Sequence, residues 1–162
     1  MFERIKKQIL KQKKMQVQIY SGINHDRNHE MISRMAEMGQ FDLRNANFEG
    51  ADLSGIDLGD FDLSGANLKN ANLRDCYLKN TNLKGANLEG ADLSQTNLSD
   101  MDLSGTNLKN VRFKGCYLIN TDFRDANLRN ADFTDAYGEV YLENVCKKGC
   151  NFGKSIFVKP ER

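Results

Sequence analysis

The chain of 162 residues has no tryptophan, a single proline and only two histidines, His25 and His29. With no histidine after residue 29, neither a Ser-His-Asp nor a Cys-His arrangement can form unless the N-terminal segment folds over the rest. No Walker or Rossmann glycine pattern occurs, so neither an enzyme nor a cofactor is expected. The two histidines stand four apart, a spacing that can face a metal from one helix, but no third ligand is near. No metal site is expected. The four cysteines show no repeated pairing pattern, which argues against a disulfide framework. No apolar run is long enough to span a membrane and nothing resembles a signal peptide, so a cytoplasmic location is expected. The usual globular core is missing too: 40% of residues are hydrophobic, but they are spread thinly along the chain.

What is present is a period. From Phe41 to Phe133 the chain reads as five-residue words, FDLRN ANFEG ADLSG IDLGD FDLSG ANLKN and onward to ADFTD. The third letter is Leu or Phe nineteen times running, at 43, 48, 53 and so on to 133. First letters are mostly small, second letters mostly Asp or Asn, and fifth letters mostly Gly, Asn or Asp. A period of five fits neither the 3.6 of a helix nor the 2 of a strand. It implies a solenoid, in which each word buries its apolar letter by stacking on its neighbours.

Four words to a coil give chemically coherent columns twenty residues apart. One column of second letters is all asparagine (Asn47, Asn67, Asn87, Asn107, Asn127), and its neighbour is Asp42, Asp62, Asn82, Asp102, Asp122. Fourth letters stack as Glu49, Lys69, Glu89, Lys109, alternating charge at a strand spacing of ~4.8 Å. Residues 46–85 and 86–125 match at 23 of 40 positions, which reads as duplication of a two-coil unit. Cys76 and Cys116 share an inward column two coils apart, ~9–10 Å on that spacing, beyond disulfide reach.

These words resemble those of the pentapeptide-repeat proteins, whose signature is A(D/N)LXX in tandem, over about two-thirds of the chain. The resemblance implies a right-handed quadrilateral β-helix, with first and third letters inward and turns at the corners. Some relatives present an acidic rod of DNA-like width to type II topoisomerases and so protect them from quinolones. Relatives also often dimerise through their C-terminal ends.

The flanks are read separately. Residues 1–40 form a basic N-terminal segment and a capping helix, 41–139 a β-helix of about five coils, and 140–162 a phase-shifted last coil and tail. Residues 1–14 carry six bases against one acid and are read as a solvated terminus. Met15–Tyr20 alternates like a short strand. From Asn24 to Met38 the spacing predicts a helix with Met31, Ile32, Met35 and Met38 on one face and Gly39 as its stop, suited to lid the first coil. After Phe133, Ala136–Glu139 is a four-residue word, and Val140-Tyr141-Leu142, Cys150-Asn151-Phe152 and Ser155-Ile156-Phe157 resume one position out of phase. Lys147 stands where a core letter belongs, so residues 143–149 are expected to bulge or loop. Pro160 ends the usable strand.

Two outer features are candidates for recognition. Asp57, Asp60, Asp62, Asp100, Asp102 and Asp122 form an acidic edge, diluted by Arg44, Lys84 and Arg124. Residues 41–135 hold fifteen acids and ten bases, a modest net −5 for imitation of a duplex. Tyr77, Tyr117 and Tyr137 share one column of second letters, where outward tyrosines favour interfaces. The expected function is a non-catalytic protein-binding scaffold; the alternative is a DNA-mimicking effector of DNA gyrase. Direct nucleic-acid binding is not expected. The C-terminal end, with Phe152, Ile156 and Phe157, is read as a homodimer surface, against the competing reading that residues 140–159 cap their own coil.

Overall fold

The computed structural model describes residues 25–153 and 156–158. The basic segment 1–14 and the alternating stretch Met15–Tyr20 lie outside the described residues.

Most words fold by the same two hydrogen bonds and one turn. The second-letter oxygen accepts the N–H two residues on, as Asp42 does from Arg44 at 3.1 Å and Asp102 from Ser104 at 2.9 Å. The third-letter carbonyl accepts the N–H of the next first letter, as Phe48 does from Ala51 at 3.0 Å. Between them the chain turns through a fifth letter with positive φ. From Asn45 to Asp135 every fifth letter has φ between 55° and 71°. That conformation explains the letter: Gly has no Cβ to clash, and Asn and Asp tolerate it better than other side chains.

Words then stack in fours. Parallel bridges join second letters twenty apart, including Asn47 to Asn67, Asn67 to Asn87, Asn87 to Asn107 and Asn107 to Asn127. Asparagine amides also link coils directly, Asn67 to Asn47 at 3.1 Å and Asn107 to Asn87 at 3.2 Å. Lys109 reaches Glu89 at 3.2 Å, so part of the expected charge alternation is a formed pair. The repeat region is therefore a β-solenoid. Its third letters from Leu43 to Phe133 are buried and form one core with the small first letters. Each buried Leu contributes about 2 kcal/mol. Cys76, Thr81 and Thr121 donate inside that core to carbonyls of the preceding coil, on Leu53, Leu58 and Leu98. Ser94, an outward letter by its place in the word, is buried, with its hydroxyl donating to Asp92.

Helix α1 (His25–Glu37) precedes the first coil. Ile32 and Met35 are buried in the solenoid core, and the Asn28 amide donates to the Asp52 carbonyl at 3.1 Å. Gly39, with φ 63°, donates to Ala36, and Gln40 donates to Met35. This Schellman turn carries Met38 off the helical face, leaving it exposed rather than in the expected row.

At the other end three short parallel strands follow one another: β1 (Thr121–Asp122), β2 (Gly138–Tyr141) and β3 (Ile156–Val158). The four-residue word shortens the register from twenty to nineteen, pairing Asp122 with Tyr141, Asn127 with Cys146 and Asp132 with Asn151. Gly138 makes this possible at φ 147°, where a Cβ would lie 2.6 Å from the Leu118 carbonyl carbon. Two expectations need correction here. Residues 143–149 do not bulge: Leu128 and Asn130 donate to Cys146 and Lys148, and Asn144 and Gly149 turn with positive φ like other corners. Lys147 is tolerated at a core position because it lies in the last described coil, where its side chain is exposed. The second correction concerns phase. Ile156 pairs with Gly138, a further shortening by one residue, so Ile156 stands in the third-letter place, two positions out of phase rather than one, and packs against the core.

Candidate interaction surface

The outer walls inherit their geometry from the second, fourth and fifth letters. Tyr117 and Tyr137 stand directly above one another, because the ladder runs unbroken from Asn97 through Tyr117 to Tyr137. Their side chains are 57% and 53% exposed, and Ile119 beside them is 43% exposed. Large apolar groups held out on a bonded backbone lose little freedom on contact with a partner. Tyr77 belongs to the same column but stands apart, paired below with Asp57 and, among the described bridges, not joined to Asn97 above.

That separation is part of a larger opening. At most coil junctions a third-letter N–H donates to the next coil, as Leu58 does to Tyr77 and Leu98 to Tyr117. Among the described residues, Leu78 and Leu83 lack this bond, as do the fifth letters Asn80 and Gly85. Asn97, Asp102 and Asn107 lack the bond in the opposite direction. The walls on either side remain closed, by Leu73 to Asp92 and Leu88 to Asn107. Between the two lips lies a slit of about 540 Å³ lined by Tyr77, Leu78, Lys79, Asp100, Met101 and Asp102, among others. No letter marks this opening in advance; both coils spell ordinary words.

The six aspartates divide across it. Asp57, Asp60 and Asp62 lie on the lower side, Asp100, Asp102 and Asp122 on the upper. Each already accepts a hydrogen bond. Asp57 accepts from the Gly59 amide, Asp60 and Asp62 from the Asn80 and Asn82 side chains, and Asp100 from the Asn120 side chain. Asp102 accepts from the Ser104 amide, and Asp122 takes the Arg124 guanidinium, which holds its carboxyl below the usual range. Arg44 bridges Asp42 at 2.9 Å and reaches Asp62 at 4.0 Å. The acidic edge is thus two clusters tempered by arginine, not one continuous field.

At the C-terminal end, Phe152 stacks on Phe133 at 5.2 Å, and Phe133 on Phe113 at 4.6 Å. Phe152 and Ile156 are only partly buried, and Val158 is 58% exposed. The Phe157 side chain lies outside the described residues. Cys146 accepts from the Arg129 guanidinium at 3.0 Å, and Cys150 donates to the Leu128 carbonyl. Among the described residues, no group of three or more His, Cys, Asp or Glu is placed to hold a metal ion. No helix among them is long and apolar enough to cross a membrane.

The family model described as pentapeptide repeats matches residues 36–65, 62–100 and 97–135. No curated protein matches the chain. Among solved structures, the chain is similar to HetL, a pentapeptide repeat protein involved in heterocyst differentiation regulation in the cyanobacterium Nostoc. The match has 23% identity over 70% of this chain and 71% of that one, with a TM-score of 0.41. Full-length QnrB1, a plasmid-mediated fluoroquinolone resistance protein, is 15% identical over 73% of this chain and 84% of its own, at 0.42. A further pentapeptide repeat protein from Nostoc is 28% identical over 80% and 94%, at 0.30.

Proposed function

The chain belongs to the pentapeptide-repeat family, and we propose that it is a non-catalytic protein-binding scaffold whose partner-facing wall is the tyrosine column. The observation that carries this reading is the pair Tyr117 and Tyr137, more than half exposed on a continuous ladder beside Ile119. The test compares proteins retained by the immobilised chain and by a Tyr117→Ser/Tyr137→Ser variant with unchanged circular dichroism. Loss of a specific retained protein is expected; identical retention refutes the wall.

In the same reading the solenoid winds as a right-handed quadrilateral β-helix over residues 41–139. The segment 1–40 supplies its cap, supported by Ile32, Met35 and Asn28 of α1 on the first coils. Residues 140–162 form the end through which two chains pair, supported by the partly buried Phe152 and Ile156. The protein works in the cytoplasm. The gyrase-directed alternative draws on the six aspartates, whose bonding to arginines and asparagines weakens a DNA-like field. A supercoiling assay with purified gyrase decides it: unchanged activity over a wide concentration range is expected, and inhibition or quinolone protection installs the alternative.

A further inference from the structure

Across most coil junctions the ladder consumes its own donors and acceptors. The N–H groups of Leu78 and Asn80 on one lip, and of Asn97 and Asp102 on the other, lack a cross-coil acceptor among the described residues and line a common opening; those of Leu83, Gly85 and Asn107 in the same two coils lack one as well. Leaving such groups without partners is costly, and a row of them along a strand edge is a template for another strand. The closed walls hold both lips parallel, by Asn72 with Asp92 on one side and Asn87 with Asn107 on the other. The opening of about 540 Å³ falls within the size range of ligand sites.

The rim specifies what enters. Tyr77 lies against Gly59, where a Cβ would come within 2.9 Å of the ring, so the ring flanks the mouth while staying 54% exposed. Met101 and Leu78 give the interior apolar surface. Asp100 and Asp102 line the opening, and among the described residues neither has an ion-pair partner within 4.0 Å. Asp57, Asp60 and Asp62 stand on the coil junction below, with Lys79 and Lys84 as the nearby cations in sequence. A purely apolar ligand leaves the ladder groups unpaired, and a nucleic-acid strand meets the acids.

We propose that the slit is a binding site for an extended basic peptide segment of a partner protein. Its backbone completes the open ladder, and a Lys or Arg side chain reaches Asp100 and Asp102, in the manner of strand addition. This deepens the protein-binding reading and rests on it, but uses a site separate from Tyr117 and Tyr137.

The experiment is amide hydrogen exchange by NMR on the intact chain with an acetylated, amidated (Lys-Val)4 peptide as probe. In the free protein the amides of Leu78, Asn80, Leu83 and Asn97 are expected to exchange at least tenfold faster than those of Leu58, Asp60, Leu63 and Leu98. The peptide is expected to slow the first set at least tenfold. A peptide of the same sequence N-methylated at alternate residues, (Glu-Val)4 and spermidine are expected not to. Asp100→Asn/Asp102→Asn copies Asn80 and Asn82 of the same columns, so it keeps the fold, and is expected to weaken the peptide about tenfold. Equal exchange of the two amide sets in the free protein overturns the proposal. So does an absence of protection by (Lys-Val)4, or equal binding of spermidine or the N-methylated peptide. Repeating the titration on Tyr117→Ser/Tyr137→Ser separates the two readings: slit protection persists there even if the tyrosine wall captures nothing.

Discussion

Replacing Phe133 by Ala removes the middle ring of a column that runs from Phe113 to Phe152. Phe133 is 1% exposed and stacks between Phe113 at 4.6 Å and Phe152 at 5.2 Å, with the edge of Phe123 at 5.8 Å. Truncating a buried Phe costs about 3–5 kcal/mol, and ring pairs add about 0.5–1.5 kcal/mol each beyond buried area. Three ring neighbours put this site at the upper end, about 5 kcal/mol. Phe152 has one stacked neighbour and is partly exposed, so Phe152→Ala is expected to cost about 1–2 kcal/mol by the same reasoning. Phe133→Leu, which restores the commoner third letter, stays near 1.5 kcal/mol. The assay is urea unfolding followed by circular dichroism. With a slope near 2 kcal/mol per molar, about 5 kcal/mol lowers the midpoint by roughly 2.5 M. Because solenoid stability is a sum of neighbouring coils, the loss is expected in the C-terminal coils first. Equal midpoint shifts for Phe133→Ala and Phe152→Ala would show that the ring column is not a continuous core, and the reasoning fails.

Leu88→Lys places an ammonium in a fully buried position and is expected to cost more than about 4 kcal/mol, whereas Lys84→Ala on the outer wall changes stability by less than about 0.5 kcal/mol; similar melting of the two variants would mean the inward and outward letters are misassigned. Burial pushes the Cys76 and Cys116 thiols up to about 12 and about 11, from an ordinary value of 9.0. Unfolded thiols therefore release protons before folded ones do, and stability is expected to fall as pH rises from about 9 towards 11 and 12. Cys76→Ala/Cys116→Ala flattens that alkaline decline in urea titrations at stepped pH, and an unchanged slope counts against buried thiols. Brief alkylation at neutral pH is expected to label neither cysteine until the chain is denatured. Light scattering across a dilution series is expected to give a two-chain mass that Phe152→Asp reduces to one; a single-chain mass at micromolar concentration rejects pairing through the C-terminal end.

The coil was legible because one physical demand repeats at each letter. Third letters must be apolar to be buried, and fifth letters must accept positive φ, so Leu43 to Phe133 and Asn45 to Asp135 spell the turn and the core together. The slit was not legible, since identical letters behave differently there. Thr81 and Thr121 donate across coils to Leu58 and Leu98, while Thr96 and Thr106 turn back to Leu93 and Leu103 in their own coil. A hydroxyl satisfied within its own turn leaves the coil below unheld, and the letter Thr cannot say which choice is made. Lys147 misled for a related reason. A rule learned from interior coils, where a charge has no exit, does not govern a terminal coil that is open on one side. The tyrosines and aspartates were correctly placed on outer columns, but their division by the slit depends on bonds between coils that no single word contains.

The slit also has a mechanical meaning. A stack bonded on every wall resists flexing alike in all directions. This one is bonded along two adjoining walls and open along the two opposite, between residues 76–85 and 96–105. Load that spreads the open corner works against side-chain packing alone, while load in the reverse sense presses the lips together and meets the intact ladder as a fulcrum. The rod therefore behaves as two stiff levers on a single one-way joint, and its compliance is set by a handful of missing bonds near its middle.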